Sequence, residues 1–130
     1  MKMNIKQQEN FMRRKEKERR KEKMIKFKIN NHTWRIEEKT GEELLKLYGK
    51  ENATFVFGFT NNIIQAIYIN EELGSEQKVI TLKHELMHCY MWETGFYYVD
   101  DFNEEVICDL VSRSNDFINE VVEKWKKENK

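Results

Sequence analysis

Between Met24 and Glu38 apolar and polar residues alternate, with Ile25, Phe27 and Ile29 before Asn30-Asn31 and Trp34 and Ile36 after it. Two is the strand period, and Asn tolerates the left-handed backbone of a tight turn, so this stretch is predicted to form a β-hairpin. Thr40 then caps a short helix through Leu47, which stops at Gly49. The runs Ala53 to Phe59 and Ile63 to Asn70, separated by Thr60, Asn61 and Asn62, predict two more strands. From Ser75 the period changes. Val79, Ile80, Leu82, Leu86, Met87, Tyr90 and Met91 keep helical spacing, Ser75 can serve as N-cap, and Gly95 stands where a helix end wants positive φ, which predicts a helix over 75–94. A loop leads to Asp101-Phe102-Asn103-Glu104, which has the form of a capping box. Beyond it Val106, Ile107, Leu110, Val111, Phe117, Ile118, Val121, Val122 and Trp125 draw an apolar stripe down a last helix starting near Phe102.

These elements predict an α+β fold: a small, mostly antiparallel sheet of three to five strands, with the 75–94 helix on one face and a long C-terminal helix beside it. At 130 residues one domain is the expectation. Residues 1–23 stand apart from it, with ten Lys and Arg against four Glu and few apolar side chains. They are read as a flexible or solvated-helix arm, and residues 24–130, with thirteen bases and nineteen acids, as the folded domain. Arg13, Arg14, Arg19 and Arg20 could form a patch for nucleic acid or an acidic partner, but interspersed glutamates weaken the field and no aromatic interleaving offers bases a stacking surface, so nucleic acid is not the expected ligand. No signal peptide or membrane segment is expected, because no window is apolar for long enough. Cys89 and Cys108 lack metal spacing and read as small buried hydrophobes, which fits a reducing cytoplasm.

The chemistry lies inside the 75–94 helix, in His84-Glu85-Leu86-Met87-His88. At 100° per residue the two histidines share a face one turn apart, so both imidazoles can reach one zinc ion at about 2.0–2.1 Å. Such an ion lowers the pKa of a bound water towards about 7, and Glu85 is placed to take the proton as general base. A catalytic zinc takes a third protein ligand, and since no histidine follows His88, a carboxylate of the last helix is the remaining choice. Glu104 and Glu105 compete. If Glu104 caps the helix, Glu105 is free to complete the site, and Asp109, one turn along, could accept a histidine N–H from the second shell of the metal.

At these residues the chain resembles the ImmA/IrrE-like zinc metallopeptidases of phages and other mobile elements, within the wider H-E-x-x-H plus Glu class. The likeness runs from Ile63 to Ser114 and is carried by Ala66-Ile67-Tyr68-Ile69-Asn70, by Thr81-Leu82-Lys83 before the H-E-x-x-H, and by Asn103-Glu104-Glu105 before Asp109. It implies a zincin-like, intracellular zinc endopeptidase with one Zn2+ per chain, acting on a specific protein such as a helix-turn-helix repressor. It also implies that the strand before the zinc helix is a sheet edge to which extended substrate adds. Tyr97 and Tyr98 are candidate oxyanion donors, with aromatic packing the plainer reading; His32 reads as an exposed hairpin residue. The alternative to an enzyme is a regulatory or protein-binding module that keeps the metal site and turns over little.

Overall fold

The computed structural model describes residues 2–22, 24–50 and 52–128, with side chains of 17–22 outside the description, so Arg19 and Arg20 of the basic arm are not placed. In chain order the elements are α1 (Ile5–Glu22), β1 (Ile25–Ile29), β2 (His32–Lys39), α2 (Gly41–Tyr48), β3 (Gly58–Asn61), β4 (Ala66–Asn70), α3 (Ser75–Thr94) and α4 (Glu104–Glu128), with a 3-10 turn at Phe96–Tyr98. This is an α+β fold. The β1–β2 hairpin turns through Asn30 and Asn31, both at positive φ, as the sequence predicts. Thr40 closes a reciprocal capping box with Glu43 at the start of α2, and Gly49 ends that helix in the left-handed region.

The sheet order is β1-β2-β4-β3. Its two outer pairs are antiparallel and the central pair, β2 with β4, is parallel, so the sheet is mixed. A parallel pair needs a crossover, and α2 supplies it: the chain leaves β2, crosses the sheet through α2, and returns along β3 and β4. The β3–β4 hairpin lies later in the sequence than the apolar runs suggest. Thr60 and Asn61 belong to the strand; Asn61 Oδ1 accepts from the main-chain N–H of Ile63 and Ile64, and Gln65 takes positive φ to complete the reversal.

Alternation in β4 explains why all five of its residues are buried. Ile67 and Ile69 pack with Trp34, Ile36, Leu82, Leu86 and Val122 on the side of α3 and α4, while Ala66 and Tyr68 pack with Leu44 and Val56 on the side of α2. Three layers result, with the sheet in the middle. No helix among the described residues is long and apolar enough to cross a membrane.

Helix α4 runs antiparallel to α3: Tyr90 lies against Phe117, and Val79 and Ile80 share a hollow with Trp125. Its start differs from the sequence prediction. Asn103, not Asp101, caps it, through Oδ1 to the N–H of Val106 and its carbonyl to the N–H of Ile107. Both Asx side chains can cap; the helix begins two residues later because the one nearer its first turn makes the bond. Glu104 therefore occupies the first helical position rather than the third, and is not spent on a capping box.

Candidate functional site

The middle of α3 carries the H-E-x-x-H on the side facing β3. Leu82, Leu86 and Cys89 anchor the helix in the core, which turns His84 and His88 to solvent and Glu85 towards the sheet. His84 Nε2 and His88 Nε2 stand 3.2 Å apart. Two nitrogens bound to one tetrahedral ion at about 2.0–2.1 Å are separated by about 3.3 Å, so this bite fits zinc. Glu85 is 6% exposed, and its Oε1 lies 2.8 Å from Thr60 Oγ1, whose hydroxyl can donate to it. Thr60 also lies 3.1 Å from the main-chain oxygen of Glu85. The carboxylate is thus held against the edge strand, at the floor of two adjoining hollows of about 330 and 470 Å3 that share Tyr48, Gly58, His84 and Glu85. A larger hollow of about 750 Å3 lies between the start of α3 and the end of α4, away from the histidine pair, beside the Lys78–Glu38 ion pair.

The strand bordering this groove is β3, and β4, the one expected at the edge, lies inside the sheet. The hydrogen bond from Asn70 N–H to Phe57 O, at 2.8 Å, sets the alternation of the β3–β4 ladder. By that alternation Phe59 and Asn61 turn their main-chain groups to β4, and Gly58 and Thr60 turn theirs to the free edge. Gly58 is required there: an added Cβ would stand 2.5 Å from Tyr68 O and 2.9 Å from Thr81 Cγ2.

The structure does not bring the expected third ligand to the pair. With Tyr90 beside Phe117, His88 and His84 are level with the second half of α4, and Glu104 and Glu105 lie more than about 20 Å from them along the axis. Both are exposed. Among the described residues no three His, Cys, Asp or Glu converge on a metal position. Asp109 likewise does not meet a histidine; its Oδ1 accepts from Arg113 Nε at 2.8 Å. Glu105 and Asp109 lie on the outer face of α4, whereas Glu104 continues the apolar stripe of Ile107, Val111, Ser114 and Ile118. The histidine pair and Glu85 fit a zinc site; a carboxylate from α4 does not join it in this arrangement.

Of the remaining expectations only the one for Cys108 changes. Cys89 is buried as predicted, and burial, with the nearby Glu93 carboxylate, pushes its thiol far above the ordinary range, but Cys108 is exposed. His32, whose side chain is 55% exposed, is tied to the C-terminal turn of α3: its Nδ1 lies 2.7 Å from Glu93 Oε2, and Trp34 Nε1 donates to Glu93 Oε1 at 3.0 Å. Tyr97 lines the groove beside His88 and packs edge-on against Trp92, while Tyr98 is 73% exposed. Thr60 is the site residue that sequence reasoning misses. It carries no motif signal, and its role follows from which strand takes the sheet edge.

Compared with protein-family models, with curated proteins and with solved structures, the chain matches none of them.

Proposed function

We propose that this chain is a zinc-dependent endopeptidase of the H-E-x-x-H class, similar to the ImmA/IrrE-like enzymes and zincin-like in fold. The observation that carries the reading is the 3.2 Å bite of His84 and His88 beside a buried Glu85. His84 and His88 would hold the zinc ion, which when bound would supply Lewis acidity to a peptide carbonyl and to an attacking water. The Thr60 hydroxyl donates to Glu85 Oε1 and fixes the carboxylate, so that Oε2 would be free to take up a proton as general base and release it to a departing amine. Extended substrate lies along β3, its main chain paired with the outward groups of Gly58 and Thr60. The exposed Phe55, Phe57 and Ile80 beside His84 give the groove an apolar wall. The proposed substrate is a particular intracellular protein, a helix-turn-helix repressor on the strength of the resemblance.

A second reading is favoured by one observation, the lack of a third ligand among the described residues. On that reading the chain is a regulatory module that binds extended protein segments at β3 and cleaves them slowly or not at all.

Glu85→Gln separates the two. It keeps the size of the side chain but cannot accept the proton, and a general base contributes typically about 10² to 10⁴ in rate. The enzyme reading expects wild type, loaded with zinc, to cut a candidate repressor into fragments seen by mass spectrometry, and Glu85→Gln to hold the same zinc and cut nothing. Equal cleavage by both would refute Glu85 as the base. Zinc binding without cleavage by wild type would establish the module instead.

A further inference from the structure

Two helical segments of the described chain leave apolar side chains exposed, and they are opposite in charge. The first is the start of α4. The buried face of Leu110, Ser114, Ile118, Val122 and Trp125 continues on one flank through Val111 and Ile107, yet these two are 53% and 48% exposed. The antiparallel register explains why: α3 ends at Thr94, level with about Arg113, so the first nine residues of α4 extend roughly 13 Å beyond it. This tip carries Asp100, Asp101, Glu104, Glu105 and Asp109 without a single base from Tyr97 to Val111. Phe102 and Tyr98 are exposed in the same stretch of chain.

The second segment is α1. Residues 2–15 are all exposed, and α1 makes no extended packing contact with the rest of the described chain. Residues 2–16 hold five bases, Lys2, Lys6, Arg13, Arg14 and Lys15, against Glu9 and Glu16. Ile5 and Met12 lie two turns apart on one face with Phe11 at its flank, all exposed. Most helical stability in proteins comes from packing an apolar face on another surface, and the apolar side chains of α1 are exposed.

We propose that α1 of one copy packs on the α4 tip of a second copy, reciprocally about a two-fold axis, with Ile5, Phe11 and Met12 against Ile107, Val111 and Phe102, and Arg13 and Arg14 against the acids of the tip. The same contact is not made within one chain, where residues 2–15 are all exposed. Lys124 Nζ donates to Lys26 O, so β1, and with it the root of α1, sits near the far end of α4. From that root to Ser114 the stripe face of α4 is already covered by the sheet and α3. A helix arriving from another copy meets no such obstacle, and two-fold symmetry doubles each contact.

The test is the mass of the full-length protein by size exclusion with light scattering. Wild type should run at twice the 15.9 kDa chain mass. It should dissociate in 1 M salt, where the screening length falls to about 3 Å. Val111→Lys, and separately the pair Arg13→Glu and Arg14→Glu, should each give a monomer with an unchanged circular dichroism spectrum, since all three positions are exposed. Adding Asp100→Lys and Asp101→Lys to the arm reversal should restore the dimer. A monomeric wild type overturns the proposal, as does a dimer indifferent to both sets of changes. A monomer whose arm binds a short nucleic-acid duplex in low salt also overturns it, and identifies the arm as a nucleic-acid ligand.

Discussion

Thr60 Oγ1 on the edge strand lies 2.8 Å from Oε1 of Glu85 on α3, joining the proposed general base to the strand along which substrate is proposed to lie. A hydrogen bond to a buried carboxylate is stronger than one between neutral groups, because the charge has little water to compensate it. The aim of the carboxylate therefore depends on the position of β3.

Thr60→Val keeps the strand-favouring branched shape and removes the donor. With a bond to a charged group worth about 1.5–3 kcal/mol, cleavage should slow by about ten- to a hundred-fold while zinc content stays at the wild-type level. Steady-state rates on zinc-loaded protein decide the matter; an unchanged rate would show that the hydroxyl does not position Glu85.

Zinc affinity should depend on His84 and His88 and little on the start of α4. His84→Ala and His88→Ala should each abolish stoichiometric binding, measured by competition with a chromophoric chelator. Glu104→Ala and Glu105→Ala should leave affinity within about twofold of wild type, since more than about 20 Å of helix separates both from the pair. A tenfold loss from one of these alone would mean that the α4 tip moves to the histidines when metal binds.

His32→Ala should be costly for so exposed a residue. The Glu93 side chain is only 3% exposed, and losing His32 removes one of its two side-chain donors. Leaving a buried charged group short of a partner costs about 1–3 kcal/mol, which urea denaturation resolves as a lower midpoint at unchanged slope. A midpoint equal to wild type would show that the indole of Trp34 satisfies Glu93 by itself.

The two cysteines should differ in reactivity. Under native conditions iodoacetamide should label Cys108 alone, because the thiolate is the reacting species and burial holds the Cys89 thiol protonated. Mass spectrometry should show one adduct before unfolding and two after. Two adducts on the native protein would mean that the core around Cys89 opens readily.

The sequence by itself determined what short-range physics decides. The Asn30-Asn31 turn, the Thr40 capping box, the stop at Gly95 and the pairing of His84 with His88 each depend on a few residues in one local geometry, so each is legible from spacing alone. Tertiary structure decided the rest. Whether β4 or β3 takes the edge depends on a crossover through α2 and on which strand both layers bury, and no alternation within either strand encodes that order. For that reason Thr60 is invisible as a site residue until β3 is placed beside α3. The third ligand was out of reach for a related reason. Two acids at the start of a helix can be assigned a face by counting, but their distance from His88 is set by the axial register of α4 on α3, and that register comes from long-range packing such as Tyr90 on Phe117.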